Sequence, residues 1–330
     1  MAITSENFQK TETPSLVAHA GPSVRRFARE LGVDLARVRG SGPKGRITQD
    51  DVKAYIKTTL TAPTVLPEAN LHGEKGGLLR GFNLPELPVV NFADFGPVKM
   101  QPLSSLQRLS GPNLHRNALS IPHITQFDEA DITELESFRQ TAAASPPPQL
   151  SGGAPRLTLL AFIMKAMVAA LLRYPQFNAS LDERCENLIL KDYFHIGVAV
   201  DTKNGLVVPV IRNVDQKGLW DLAAELAVVS EKARARKLSP GDLQGGCFTL
   251  SSLGGIGGSH FTPIINAPEV AILGIGRAAT KPVWQEGVFV PRLLLPLSLS
   301  YDHRVIDGAA GARFVTYLSQ LLGDIRRLLL

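Results

Sequence analysis

Residues 292–323 read RLLLPLSLSYDHRVIDGAAGARFVTYLSQLLG. The stretch to His303 is rich in leucine and reads as a strand. From Gly308 onward, Phe314, Leu318, Leu321, Leu322 and Ile325 share one face of a helix that the pattern carries to the C-terminus. A strand, a polar turn and a helix in direct succession require a fold that mixes sheet and helices, an α/β or α+β class. The turn carries the candidate chemistry. Asp307 precedes the helix and can cap it, its carboxylate accepting backbone N–H groups. His303, four residues earlier, is either a satisfied surface histidine at a strand end or a general base, because imidazole titrates at about pH 6.5, close to working pH. Both readings stand on these letters.

The same mixture continues upstream. ITQFDEADI alternates like a strand, DITELESFRQ is an amphipathic helix and LTLLAFIMKAMVAALLRY a buried one. IGVAVDTKNGLVVPVI reads as strand, turn and strand around Asn204-Gly205. LWDLAAELAVVSEKARARKL is a helix with its charges late, and EVAILGIG is a strand. SSLQRLSGPNLHRNAL has a helical pattern interrupted by Gly111-Pro112. A proline removes an N–H and clashes inside a helix, so a kink or restart is expected just before Arg116.

The chain has 330 residues, 44% apolar and 20% charged, which is ordinary for a globular protein and suggests two domains or so. Two cysteines, Cys185 and Cys247, lie far apart without metal-ligand spacing; a reducing, cytoplasmic setting is expected, with no disulfide scaffold and no metal site. The N-terminus lacks the apolar segment of a secretory signal, and no run approaches the length of a membrane span.

Charge is concentrated. Residues 22–57 hold nine basic and four acidic side chains, so this segment carries the whole net charge of +5. Val24, Phe27, Ala28 and Leu31 mark one helix face, with Ser23 as N-cap and Gly32 as C-cap; GSGPKGR is a loop; Thr48 caps a second helix with Asp50 and Asp51 in its first turn. So small a module is expected to be marginally stable. Residues 1–20 read as a disordered leader, and residues 59–98, with several Pro and Gly, as a linker. A basic module on a tether is expected to hold an acidic surface. Arg25 and Arg29 share a helix face, and Arg46 follows the glycine loop. Nucleic acid is the weaker partner reading, because the module offers no long recognition helix and few aromatics for stacking.

SSLGGIGG at 251–258 leaves three readings open: a turn needing positive φ, a phosphate loop, or a serine hydroxyl placed to stabilise an oxyanion. It matches neither GxGxxG nor GK[ST], nor the GxSxG elbow.

Together, NLHRN, IPHITQFDEADITELE, HIGVAVDTKNGLVVPVIRNVD, FTLSSLGGIGG, TPIINAPEVAILGIG and LPLSLSYDHRVIDGAAGARF closely resemble the catalytic domain of the 2-oxoacid dehydrogenase acyltransferases. Residues 22–57 resemble that family's peripheral subunit-binding domain. The resemblance implies a chloramphenicol-acetyltransferase-like catalytic domain at 99–330, preceded by a two-helix binding domain at 21–58. In the acetyl-transferring branch, which it resembles most, the activity is acetyl transfer between S-acetyl-dihydrolipoamide and coenzyme A at the core of a pyruvate dehydrogenase complex. His303 then falls on the base for the coenzyme A thiol and Ser251 on the oxyanion donor. Asp307 falls on the signature aspartate, with Arg116 as its candidate partner. Arg25, Arg29 and Arg46 fall on residues that contact dihydrolipoyl dehydrogenase or pyruvate dehydrogenase. Trimers building cores of 24 or 60 subunits, with His303 and Ser251 from neighbouring chains, are also implied.

The family carries lipoyl domains upstream, and only 21 residues precede the module here. The expectation is a truncated chain, or a lipoyl group supplied by another protein. The alternative function is a non-catalytic core subunit that holds a peripheral enzyme; the joint presence of His303, Asp307 and Ser251 speaks against it.

Overall fold

The computed structural model describes residues 19–31, 33–61, 90–150, 153–203 and 205–329. They belong to two compact units, Met1–Lys75 and Gly76–Leu330.

The smaller unit holds α1 (Pro22–Glu30) and α2 (Gln49–Thr61). Pro22 takes the first helical position, where its fixed φ suits the helix and its missing N–H costs nothing, so the N-cap is Gly21 and Ser23 lies inside the helix. Gly32, expected as C-cap, lies outside the described residues. Thr48 caps α2 as expected: its Oγ1 accepts the Asp51 N–H (3.3 Å), and Asp51 Oδ2 accepts the Thr48 N–H (2.8 Å). Asp51 also accepts from the Ser41 hydroxyl (2.7 Å) and amide (3.0 Å), so one carboxylate ties the glycine loop to the helix start. The Ser41 hydroxyl bond, followed by the backbone bonds, holds this carboxyl far below the usual range. Val24, Ala28, Val38, Ile47 and Val52 form the core. Leu31, expected on the buried face, is exposed. The leader through residue 18 and residues 62–89 of the expected linker lie outside the described residues, and α2 runs three residues into the span assigned to that linker.

In the larger unit the chain runs α3 (Ser105–Ser120), β1 (His123–Asp131), α4 (Thr133–Ala144), α5 (Leu159–Arg173), β2 (Ala179–Leu181), β3 (Leu188–Leu190), β4 (Ile196–Val198), β5 (Val200–Thr202), β6 (Gly205–Val207), β7 (Val210–Ile211), α6 (Leu219–Arg234), β8 (Phe248–Ser252), β9 (Ala271–Ile275), β10 (Ala279–Gln285), β11 (Val288–Asp302) and α7 (Gly308–Gly323). One mixed sheet has the order β1-β11-β9-β8-β4-β7, with β10 paired to β11. The β9–β8 and β8–β4 pairs are parallel and the rest antiparallel. β2–β3 and β5–β6 are separate hairpins, so the segment read as one strand-turn-strand divides into two ladders.

Alternation along β11 sends Leu295, Leu297, Leu299 and Tyr301 into the main core with Phe248, Leu250 and Leu273. Phe162, Met167 and Leu171 of α5 and Phe314, Leu318 and Leu321 of α7 cover them. Phe314 stacks on Phe177 at 4.1 Å between ring centroids and lies fully buried. Burial of one such ring stabilises by about 1.5–3 kcal/mol.

Two local expectations are corrected, and one strand, β10, is added to those read from the sequence. α3 continues through Pro112 without the restart that the proline suggested, with a capping box at Ser104 and Gln107. The helix is exposed around Arg108, so the carbonyl freed by Pro112 faces solvent rather than protein. α7 stops at Gly323, because extended Asp324 bonds its carboxylate to the Arg326 amide and guanidinium and a short 3₁₀ turn, Ile325–Leu329, follows. β10 carries no clear alternation in ATKPVWQ; it is an edge strand held by its ladder to β11 through a turn at Glu286-Gly287, both at positive φ.

Candidate active site

β8 presents Phe248 and Leu250 to the helices, so Thr249 and Ser251 face the other side of the sheet. Ser251 stands opposite Gly274 of β9, and Gly274 opposite Ser298 of β11. Gly274 is required by packing: a Cβ there would lie 2.8 Å from the Phe261 ring, which covers this part of the sheet. After Ser252 the chain turns back on itself, with the Ile256 and Gly257 amides donating to the Leu253 carbonyl. Gly258 has φ +85°, and a Cβ at Gly254 would come within 2.9 Å of the Gly276 carbonyl oxygen. The glycines of SSLGGIGG therefore serve a tight turn and a close backbone approach.

His303 follows the last residue of β11. Its amide donates to the Pro122 carbonyl at 3.0 Å, and its side chain is exposed. The Asp302 carbonyl accepts from the Val305 and Ile306 amides, which makes the turn tight. The Asp302 side chain is nearly fully buried and pairs with Arg304 at 2.6 Å, a bond that raises the arginine's affinity for its proton. Asp302 is thus part of the scaffold on which His303 stands. Asp307 caps α7, its Oδ1 accepting the Ala310 N–H at 2.7 Å. Gly311, one turn on, lies against the Tyr301 ring, 2.6 Å from where a Cβ would be. That contact sets α7 close to the end of β11.

The register separates the two principal candidates. Ser251 lies in the row of Ser298, and His303 is five residues further along β11 and two strand spacings away. At about 3.3 Å per residue and 4.8 Å per strand, their Cα atoms within one chain are roughly 19 Å apart. Arg116 sits exposed on α3 and, with Asp302, Arg304, Asn117 and Glu269, lines a cavity of about 200 Å³. Among the described residues it forms no ion pair, and Asp307 spends its carboxylate on the helix cap.

Four groups around the site carried no individual role in the sequence reading. The Asp302–Arg304 pair is one, and Asn117 and His123, which bind the backbone of Ile265, are two more. Glu269 is the fourth. It is 4% exposed; its Oε2 accepts from Thr249 Oγ1 at 2.6 Å and its Oε1 from Asn266 Nδ2 at 3.4 Å. Burial pushes its carboxyl up to about 7, against the Thr249 bond and the charge of Lys191. The signal for Glu269 in the sequence was an acid inside an otherwise apolar strand entry, NAPEVAILG.

In the smaller unit, Arg25 and Arg29 line a cavity of about 280 Å³ with Val33, Asp34 and Leu35. Arg25 Nε donates to the Ala20 carbonyl at 3.1 Å. Arg46 is exposed at the end of the Pro43–Gly45 turn and does not line that cavity. Among the described residues, no helix is long and apolar enough to cross a membrane.

Residues 96–330 match the family described as 2-oxoacid dehydrogenases acyltransferase (catalytic domain), and residues 18–53 match the E3-binding domain family. A Cupriavidus necator protein, the dihydrolipoyllysine-residue acetyltransferase component of pyruvate dehydrogenase complex, is 55% identical over 95% of this chain and 55% of its own length. The protein of the same description from Haemophilus influenzae is 52% identical over 98% of this chain and 56% of its own. The chain thus spans about half the length of these curated relatives. Among solved structures, one from a crystallographic and enzymatic study of a serine, a histidine and an asparagine in the catalytic mechanism of Azotobacter vinelandii dihydrolipoamide acetyltransferase aligns with a TM-score of 0.72. It is 53% identical and covers 75% of this chain and 100% of that one. The cubic core of a pyruvate dehydrogenase multienzyme complex aligns with a TM-score of 0.72 at 54% identity, over the same shares.

Proposed function

The chain belongs to the 2-oxoacid dehydrogenase acyltransferase family, and from that premise we propose that it transfers an acetyl group between S-acetyl-dihydrolipoamide and coenzyme A in the core of a pyruvate dehydrogenase complex. One observation carries the site assignment. The residues named for the Azotobacter enzyme are a serine, a histidine 52 positions later and an asparagine four beyond that. Ser251, His303 and Asp307 stand at those spacings. Aspartate for asparagine preserves an oxygen that accepts helix N–H bonds, the role Asp307 fills at Ala310.

The chemistry follows from the residue types. A thiol with a pKa of about 8.5 is mostly protonated at neutral pH, so a base is needed. His303 takes the proton of the coenzyme A thiol. The sulfur attacks the acetyl carbonyl, and the Ser251 hydroxyl donates to the oxygen that becomes negative. The tetrahedral centre collapses, the bond to the dihydrolipoyl sulfur breaks, and imidazolium returns the proton to that sulfur. Coenzyme A is a substrate, and the lipoyl group comes from a lipoyl domain.

A roughly 19 Å separation forbids Ser251 and His303 of one chain from serving one carbonyl. The site therefore lies between chains, with His303 from one subunit and Ser251 from its neighbour. Self-association is supported by an exposed apolar stretch ahead of and along α3: Phe95 is 82% and Met100 95% exposed, with Phe92, Leu103 and Leu109 alongside. Trimers assembling into a larger core satisfy both observations. Asp307 stabilises the turn behind His303, and Arg116 lines the adjoining cavity as a candidate substrate contact.

Residues 21–58, extended by α2 to Thr61, form the binding domain, the linker runs on to 98, and 99–330 form the acyltransferase domain. Arg25, Arg29 and Arg46 dock a peripheral enzyme, dihydrolipoyl dehydrogenase on the match to the E3-binding family, with pyruvate dehydrogenase as competitor. Two free cysteines suit the reducing cytoplasm as its location. The decisive experiment measures acetyl transfer from acetyl-coenzyme A to free dihydrolipoamide, alongside native mass. Turnover that disappears in His303→Ala, from a particle of many subunits, is the expected result. A large particle that binds dihydrolipoyl dehydrogenase without turnover is instead a scaffold.

A further inference from the structure

Outside the groups assigned above, one imidazole is engaged at both ring nitrogens. His123, the first residue of β1, is half-buried; its Nδ1 lies 2.7 Å from the Ile121 carbonyl oxygen and its Nε2 2.9 Å from the Ile265 amide nitrogen. A carbonyl can only accept and an amide N–H can only donate, so the proton is on Nδ1 and Nε2 is bare. The ring is therefore neutral, in one tautomer. The bond back to Ile121 closes a short loop around Pro122, whose own carbonyl accepts the His303 N–H at 3.0 Å. Ile265 is fully buried, and its carbonyl accepts from Asn117 Nδ2 at 3.1 Å. Both polar groups of that peptide residue thus end on side chains from α3 and β1. The ladder puts His123 directly opposite Asp302, the residue before His303.

We propose that His123 is a positioning residue for His303: through Pro122 it fixes the backbone of the base, and it does so only as a neutral imidazole. It touches neither substrate. The role rests on His303 being the base. Removing the ring frees the Ile121–Pro122 peptide, leaves the buried Ile265 N–H without its acceptor and lets the His303 turn relax. A misplacement of about 1 Å at a reacting group typically costs up to about 100-fold in rate.

The test compares His123→Ala, His123→Asn and His123→Gln with the unsubstituted 330-residue chain, in turnover, native mass and crystal structure. Asn can place its Nδ2 against the Ile121 carbonyl; Gln reaches toward Ile265 and abandons Ile121. In His123→Ala, kcat should fall about 10–100-fold with the coenzyme A KM within about twofold, native mass unchanged, and the Pro122–His303 bond broken in the crystal. Asn should recover most of kcat and the bond, and Gln should not. If the Ala variant does not assemble, the Asn–Gln contrast decides. A His303 backbone unmoved in Ala or Gln, or equal kcat in Asn and Gln, overturns the proposal. If wild-type protein shows no acetyl transfer, the functional reading fails, and the crystal structures still decide whether His123 holds His303.

Discussion

Ser251 and His303 lie at opposite ends of one sheet, in rows set by the pairs Ser251–Gly274 and Gly274–Ser298. Their roughly 19 Å separation follows from strand geometry alone. A catalytic partnership between them is an intersubunit one, and this has a direct genetic test. Ser251→Ala and His303→Ala chains are each expected to be inactive. Mixed at equal amounts into the same trimers, they should regain about a quarter of wild-type activity, because one pairing in four joins an intact histidine to an intact serine. No recovery in verified mixed trimers excludes the shared site.

Ser251→Ala by itself should lower kcat by about 10²–10³, the usual cost of one oxyanion donor, and leave the coenzyme A KM within about twofold. His303→Ala should lose more. Steady-state kinetics with free dihydrolipoamide measures both.

Glu269 links stability to pH. Its carboxyl titrates at about 7 in the fold, against an ordinary value of 4.5. The folded state therefore keeps a proton that the unfolded chain has already lost. The stabilisation is complete below the unfolded value and is lost as pH rises through about 7. Between about pH 5.5 and 8.5 the wild type should lose about 2 kcal/mol relative to Glu269→Gln, which has no such proton. Urea unfolding of both proteins at the two pH values checks this, and parallel behaviour contradicts it.

Asp307 acts first as a cap. Asp307→Asn keeps an acceptor for the Ala310 amide and should preserve both stability and turnover. Asp307→Ala should cost about 1 kcal/mol of stability. A collapse of kcat in Asp307→Asn at unchanged melting temperature would assign the carboxylate charge a direct catalytic role.

The basic module should bind its partner through charge. Arg29→Glu should weaken binding of dihydrolipoyl dehydrogenase at least tenfold while acetyl transfer is unchanged. Wild-type binding should itself fall as salt is raised, since exposed charges are screened beyond about 10 Å at 0.1 M. Calorimetry across a salt series measures both effects.

Several features were open to reading from the letters because they depend on neighbours within about four residues. Asp307 precedes a helix whose apolar positions recur at helical spacing, and it caps that helix. Thr48 and Asp51 form their reciprocal cap three residues apart. The leucine-rich run before His303 alternates and becomes a strand. Mixed sheet and helix followed from those local elements, and family resemblance supplied the candidates Ser251 and His303 before any geometry was known.

Tertiary structure decided the rest. The distance between Ser251 and His303 depends on the registers of β8, β9 and β11, which no local pattern encodes. Burial gives Glu269 its unusual proton affinity, and it outweighs the opposing hydrogen bond from Thr249, a residue 20 positions earlier. Pro112 remained inside α3 because that helix surface faces solvent. His123 acquired its tautomer from Ile265, 142 residues away in the chain. Short-range order comes from propensities and caps that each residue carries with it. The site comes from a ladder register and a packed loop, which exist only once distant segments have met.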